Sequence, residues 1–179
     1  MSKHADFDHD HLGHLLVDKR LAVPNFQRPY SWDRNNIEEF WEDLQRARKS
    51  GSYFMGTIVL ANDATNQSRQ LVIDGQQRIT TAAILFVAIR NRLNDLGKKE
   101  AAADVGSKHL ADYILVEERS ELKLSLGPDD QVAYRKLVEG DSDIAGGAIY
   151  DSYIQLKGYV DELAPTKDDY KNLIALTSF

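Results

Sequence analysis

The segment that most constrains the fold is a glycine turn between a predicted strand and a predicted helix. Residues 70–73 form a short run rich in β-branched side chains, which is typical of a buried strand. After Asp74 and Gly75, apolar residues recur along one helical stripe, at Ile79, Ala82, Phe86, Ile89, Leu93 and Leu96. Because the spacing after the turn is helical and not alternating, the pattern predicts a strand–turn–helix unit and not a β-hairpin.

Such a junction places unpaired backbone N–H groups and the positive end of a helix dipole at one point, which suits an anion, phosphate above all. Gly75 would let the backbone approach the ligand, Arg78 would offer a forked donor, and Asp74 would hold a metal ion or a water. Two adjacent glutamines, Gln76 and Gln77, favour a ligand because buried amides need polar partners. The alternative is a structural turn, since Asp-Gly turns are common without any ligand.

Composition indicates a globular protein with one sizeable core and room for a small second lobe. The chain has 179 residues, of which 42% are hydrophobic and 28% charged. A net charge of −6 argues against a broad basic surface for nucleic acid, although a local basic cleft is compatible with it, with the candidates Arg28, Arg34, Arg69 and Arg78. The absence of cysteine excludes disulfides, zinc–thiolate sites and thiol nucleophiles. With neither a secretory signal nor a membrane span, the sequence predicts a cytoplasmic protein.

Periodicity predicts the remaining elements. Helices are expected over residues 9–19, 33–50, 129–138 and 149–163, the second of them capped by Asp33. Extended or strand segments are expected over residues 21–26, 53–60 and 121–126, with a polar loop at 62–68 and a solvated segment after Gly97. The predicted fold is α+β: a small mixed sheet flanked by helices forms a core over residues 1–100. A mostly helical extension of the same domain follows over residues 101–179.

Residues 25–32 (Asn-Phe-Gln-Arg-Pro-Tyr-Ser-Trp) form a second unusual cluster. A structural interpretation puts Phe26 and Trp32 in the core, with Tyr30 hydrogen-bonded at its tip. A ligand wall is the alternative, in which Arg28 binds phosphate, Gln27 meets a polar edge and Tyr30 stacks. The sequence leaves both interpretations open.

Three blocks in order make the chain recognisable: residues 23–32 (Val-Pro-Asn-Phe-Gln-Arg-Pro-Tyr-Ser-Trp), 53–60 (Tyr-Phe-Met-Gly-Thr-Ile-Val-Leu) and 72–81 (Val-Ile-Asp-Gly-Gln-Gln-Arg-Ile-Thr-Thr). Together they resemble the N-terminal domain of GmrSD-type restriction proteins, most strongly from about Leu15 to Leu96. The resemblance implies a ParB/sulfiredoxin-like core that binds and often hydrolyses nucleoside triphosphates. In that family the core precedes a C-terminal helical region with an HNH-type nuclease that acts on modified or foreign phage DNA. One branch, the SspE-like proteins, works with phosphorothioate-marked host DNA, and the sequence suits that branch.

No nuclease motif accompanies the resemblance. The five histidines lack the neighbours of an HNH site, and the chain ends at residues 176–179 directly after a helical pattern. We therefore expect a piece of a longer protein whose C-terminal region carries the nuclease.

The preferred hypothesis from the sequence is a nucleoside triphosphatase, with GTP as the family expectation. Gly75 and the N–H groups after it would bind the triphosphate, Arg28 and Arg78 would neutralise its charge, and Asp74 would orient a water or Mg²⁺. Either Gln76 or Gln77 would position the attacking water. Thr80 and Thr81 would cap the helix or touch the metal ion. The expected nucleotide contacts are Gln27, Arg28, Gly75, Arg78 and Thr80.

The rival hypothesis is a sensor that binds modified DNA without hydrolysing nucleotide. A phosphorothioate carries a large, weakly hydrated sulfur, so its reader needs an apolar wall beside an arginine. Arg28 with Pro29, Tyr30 and Trp32 meets that need. Modified DNA could also stimulate hydrolysis, which joins the two hypotheses, and a module that only binds other proteins is the third.

Overall fold

The computed structural model describes residues 12–50, 56–114, 118–141 and 143–178. The described helices are α1 (Leu12–Asp18), α2 (Arg34–Ser50), α3 (Gln76–Asp95), α4 (Lys99–Val105), α5 (Pro128–Glu139), α6 (Ala148–Leu163) and α7 (Tyr170–Ile174). The strands are β1 (Leu21–Ala22), β2 (Val59–Asn62), β3 (Gln70–Asp74), β4 (Ala111–Ile114), β5 (Arg119–Leu122) and β6 (Leu124–Ser125). A π-helical turn follows α4, and two 3₁₀ turns flank α7, at Gly106–Leu110, Lys167–Asp169 and Ala175–Ser178.

Four short strands form a mixed sheet in the order β2, β3, β1, β6. Strand β1 runs parallel to both neighbours, with Leu21 opposite Gln70 on one side and Leu124 on the other. Strand β2 is antiparallel to β3, and β4 and β5 form a separate antiparallel pair. The predicted α+β class and the small mixed sheet are confirmed.

Helix α3 lies at the centre of the molecule. Every residue from Ile79 to Ile89 is buried, and α1, α4, α5, α6 and α7 all pack against the helix. The sequence predicted a single apolar stripe, which underestimates this burial. A helix that is apolar on all sides belongs inside the core, so α3 is the axis on which the other elements are assembled, and only its ends reach the surface.

Helix α2 follows the predicted pattern closely. The side chains of Ile37, Phe40 and Leu44 are buried at helical spacing. The carboxylate of Asp33 accepts the N–H groups of Asn35 and Asn36 at 3.0 and 3.1 Å. The predicted cap is confirmed, because this carboxylate satisfies two of the N–H groups that a helix start leaves free.

The segment predicted as one strand over residues 121–126 is divided between two sheets, and the prediction of a single strand is wrong. Lys123 separates β5 from β6: its N–H donates to Leu110 O at 2.8 Å, and its carbonyl accepts the Leu21 N–H at 2.7 Å. One residue therefore joins the two-stranded and the four-stranded sheets.

Other boundaries also differ from the sequence prediction. The segment after Gly97 forms α4, in which Ala102 and Val105 are buried, so the expectation of a solvated segment is wrong. The predicted extended run over residues 21–26 is regular only in β1, and the strand expected over 53–60 is seen from Val59. Residues 51–55 lie outside the described residues.

Both halves of the chain contribute to one sheet and one core. Strand β6 pairs with β1, and α6 packs along α3. The division near residue 100 stays a prediction. Among the described helices, none is long and apolar enough to cross a membrane.

Candidate functional site

The turn before α3 accepts only glycine at its centre. Gly75 has φ +85°, and an added Cβ would lie 2.9 Å from Ile58 Cγ1 and 3.1 Å from Thr57 O. A larger residue would therefore meet both backbone strain and a steric clash. The Asp74 carboxylate is exposed and accepts the Gly75 N–H at 2.8 Å. Glycine thus brings the start of α3 into close contact with residues 57–58.

No described side chain caps the N-terminus of α3. The expected capping by Thr80 or Thr81 is wrong: both side chains are buried in the second turn, and Thr81 Oγ1 donates to the Gln77 carbonyl at 2.9 Å. Helix α3, which is 20 residues long, therefore begins with main-chain N–H groups that no described side chain satisfies.

Arg78 lies beside this uncapped helix start. Its guanidinium packs on Gly56, where an added Cβ would lie 2.7 Å from Arg78 Cζ. Its Nη1 donates to Thr57 O at 3.4 Å. Among the described residues no carboxylate forms an ion pair with Arg78, so its charge is available to a ligand.

Gln76 and Gln77 hold the neighbouring segment against the first turn of α3. Gln76 Nε2 donates to Arg28 O at 3.1 Å, and Gln77 Nε2 donates to Pro29 O at 3.3 Å. Gln77 Oε1 also accepts the Ser31 N–H at 2.9 Å. Both glutamines are only 8% exposed. This geometry favours a positioning role for both side chains over the water-orienting role expected from the sequence.

Gln27 holds the other side of the segment 27–31 through a hydrogen bond. Its Nε2 donates to Ile73 O, at the end of β3, at 2.8 Å. The segment 27–31 is therefore held by three glutamines, and Arg28 and Pro29 point their side chains to solvent.

Tyr30 is part of the core. Its side chain is 6% exposed, and its hydroxyl is hydrogen-bonded to Thr81 Oγ1 at 2.8 Å and to Ser152 Oγ at 3.2 Å. Burial raises the pKa of Tyr30 despite these hydrogen bonds. The structural interpretation of Tyr30 is confirmed. Its expected place in an exposed sensing wall does not fit, because the buried ring offers no face to DNA.

Phe26 and Trp32 differ in how far their side chains are exposed to solvent. Phe26 is 77% exposed, so the prediction that it lies in the core is wrong. Trp32 is half-buried and packs on the core, with its ring centroid 6.0 Å from that of Phe40. The residues expected to form one wall thus occupy three environments: exposed, half-buried and buried.

Several of the predicted site residues line two clefts, whereas Asp74 and Gly75 border neither of them. The first, of about 30 Å³, is bordered by residues that include Gln27, Arg28, Pro29, Gln76, Gln77, Thr80, Asp129 and Asp130. The second, of about 130 Å³, is bordered by Trp32, Asn36, Glu39, Phe40, Asp43 and Arg78. Arg28 and Arg78, which the sequence assigned to one phosphate, therefore border different clefts.

Carboxylates that the sequence analysis missed complete both clefts. Asp130 accepts the Tyr30 N–H at 2.7 Å, and burial, with the nearby charge of Asp129, raises the pKa of Asp130. Glu39 and Asp43 come from α2. No local motif marks these residues, because tertiary packing alone brings them to the clefts.

The donor set for a metal ion is small. The described residues contain no group of three or more histidine and carboxylate side chains that could hold one. Asp74 offers a single exposed carboxylate. Mg²⁺ commonly binds one or two carboxylates together with substrate phosphates, so Asp74 fits Mg²⁺ that arrives with a nucleotide and not a resident ion.

Comparison with known families identifies the chain. It matches the sequence model of the GmrSD restriction endonuclease N-terminal domain over residues 12–177. The chain therefore belongs to this family. Membership places it among restriction and antiviral-defence proteins, whose target is DNA. A search of curated proteins gave no match.

Proposed function

We propose that this domain binds and hydrolyses a nucleoside triphosphate at the Asp74–Arg78 turn, within a restriction protein that responds to modified DNA. The observation that carries the proposal is the uncapped start of the 20-residue helix α3 beside an arginine without an ion pair. Main-chain N–H groups and a helix dipole at one point bind phosphate without further specialisation. The nuclease activity would come from a C-terminal region of the parent protein.

The triphosphate would lie against Gly75 and the N–H groups that follow it. Arg78 supplies a forked cation for phosphate oxygens. Asp74 orients the attacking water or Mg²⁺, and a bound Mg²⁺ would neutralise charge on the phosphates. Gln76 and Gln77 act indirectly, by fixing the segment that carries Arg28.

The second cleft offers a place for the base. Trp32 presents an aromatic surface, and Glu39 offers carboxylate acceptors for hydrogen bonds. Asp43 also borders the cleft, with one carboxylate oxygen paired with Arg46 at 2.7 Å. Guanine presents a ring N–H and an amino group on one edge, which suits carboxylate acceptors. This chemistry supports GTP as the preferred substrate.

Phosphate release from GTP and ATP by the 179-residue chain tests the proposal. The expected result is turnover of GTP that Arg78→Ala abolishes, since the variant loses the cation at the phosphates. Arg135→Ala is the matched control, because Arg135 is an exposed arginine of α5 paired with Glu139. Absence of turnover with either nucleotide, with and without DNA, would contradict the proposal.

A modification sensor that hydrolyses nothing is the second candidate. The contacts of Gln76 and Gln77 favour it, because both side chains are occupied by backbone groups and leave few residues for hydrolysis. Arg28 and Pro29 would then contact a phosphorothioate, as an exposed cation beside an apolar ring. Matched duplexes with and without one phosphorothioate test it: equal affinity would exclude sulfur recognition, and a preference for sulfur without turnover would favour this candidate.

A further inference from the structure

Phe26 is the most exposed large hydrophobic side chain among the described residues. It is 77% exposed, ahead of Val132 at 65% and Tyr113 at 63%. An exposed phenyl ring forgoes the free energy that burial would provide. Phe26 lies in the block that also carries Arg28, between Asn25 and Gln27, which both border the first cleft.

The turn that carries the ring is held on both sides. The Gln27 N–H closes it on Pro24 O at 2.9 Å, and the Gln27 side chain ties it to Ile73 O at 2.8 Å. One residue further, Gln76 holds Arg28 O at 3.1 Å. The ring is therefore presented by an ordered turn, with little conformational entropy left to lose on binding.

The neighbours of the ring favour nucleic acid over a protein partner. Asn25 and Arg28, which lie one residue before and two residues after Phe26, are exposed polar side chains, and no described carboxylate forms an ion pair with Arg28. A protein-binding patch would need a contiguous apolar area. A single aromatic ring beside a free arginine suits DNA, in which the cation contacts a phosphate and the ring contacts a base.

We propose that Phe26 is a DNA-contacting wedge that stacks on or between bases of the target, while Arg28 contacts the adjacent phosphate. The inference rests on the DNA-binding part of the proposed function. It also gives a physical link between bound DNA and the nucleotide site, because Gln76 and Gln77 hydrogen-bond the backbone of Arg28 and Pro29 to the first turn of α3.

Affinity for a plain and a phosphorothioate duplex, measured with Phe26→Ala and Phe26→Trp, tests the wedge. Since removal of one stacking ring commonly costs about tenfold in affinity or more, we expect Phe26→Ala to weaken binding of both duplexes about tenfold. Phe26→Trp should restore binding. Tyr113→Ala, which removes an exposed ring from β4, is the matched control and should bind like the unaltered chain.

A direct readout comes from tryptophan fluorescence. Bases stacked on the new indole of Phe26→Trp should quench its emission when DNA is added, beyond the change seen with Tyr113→Trp. Unaltered affinity in Phe26→Ala, an equal loss in Tyr113→Ala, or no DNA binding by the unaltered chain would overturn the proposal. GTP turnover by the unaltered chain without DNA reports separately on the proposed function, so the two failures are distinguishable.

Discussion

Two polar clusters of this domain use similar residue types in opposite ways. At the sheet edge, Arg20 binds Asp112 and Glu121, both at 3.1 Å. Arg69 binds Glu121 at 2.8 Å, and Lys123 binds Asp112 at 3.0 Å. Every charged group of this sheet-edge network has a partner, and the network joins the residues directly before β1 and β3 to β4 and β5.

The turn at the start of α3 is different. Three charged side chains at this turn form no ion pairs among the described residues: Arg28, Asp74 and Arg78. The backbone around them is nevertheless ordered, because glutamine side chains donate hydrogen bonds to its carbonyl groups. A network whose charges are mutually satisfied stabilises the fold, whereas an ordered backbone that leaves its charges unpaired is suited to an external ligand. Pairing, and not the presence of charge, distinguishes the two clusters.

The largest effect on stability is expected at the sheet-edge network. Glu121→Ala leaves Arg20 and Arg69 without a shared acceptor, and should lower the free energy of unfolding by about 2–3 kcal/mol. Glu139→Ala, which removes an exposed partner of Arg135, should cost at most about 0.5 kcal/mol. Chemical denaturation measures both, and equal effects would mean that the network is not structural.

The next largest effect on stability is expected from substitution of Gln77 and Gln76. Gln77→Ala leaves the Ser31 N–H and the Pro29 carbonyl without partners, and should cost about 2 kcal/mol. Gln76→Ala removes the hydrogen bond of that side chain to Arg28 O, and should cost less. Unchanged stability of Gln77→Ala together with loss of turnover would restore its assignment as a water-positioning residue.

Two carboxylates should respond to pH in opposite directions. Burial acts to raise the pKa of Asp112, but hydrogen bonds and charges from Lys123 and Arg20 outweigh it and lower the pKa. Its contribution to stability is therefore present above the ordinary aspartate pKa and is lost as the pH falls through the lowered folded value. The pKa of Asp130 is raised by burial and by Asp129, so its contribution is present at low pH and is lost as the pH rises through the raised folded value.

Denaturation curves across the acidic range check these signs. Asp112→Asn should reduce the loss of stability that accompanies falling pH. Asp130→Asn, which keeps an oxygen for the Tyr30 N–H, should remove the loss that accompanies rising pH. The same sign for both variants would contradict the assigned environments.

The smallest effect on stability is expected at the unpaired arginines. Arg28→Ala removes an exposed side chain without an ion pair, and should change the free energy of unfolding by at most about 0.5 kcal/mol. The same variant should weaken DNA binding and lower its salt dependence, because one phosphate contact is lost. A large loss of stability in denaturation experiments would show that Arg28 belongs with the structural cluster.

Local pattern was sufficient to predict the strand–turn–helix unit, the Asp33 cap, α5 and α6. Each depends on residues close in sequence, such as the glycine between a β-branched run and helical spacing. The family was also recognisable from three ordered blocks, and the match over residues 12–177 confirms it.

Tertiary contacts decided what the sequence left open. Tyr30 is buried because Thr81 and Ser152, 51 and 122 residues away, satisfy its hydroxyl. The two clefts are lined in part by carboxylates from α2 and α5, and no sequence motif predicts that these residues lie there. Helix α4 was missed because its short, charged sequence gives little periodicity, although Ala102 and Val105 are buried.

The most direct test of the central claim is phosphate release from GTP by the unaltered chain and by Arg78→Ala, with thermal unfolding measured on the same samples. The account predicts turnover that is lost in Arg78→Ala, with unfolding temperatures that remain nearly equal. Full turnover in the variant, or a variant that unfolds at a much lower temperature, would show that Arg78 is not a ligand-binding residue and would contradict the phosphate site at the start of α3.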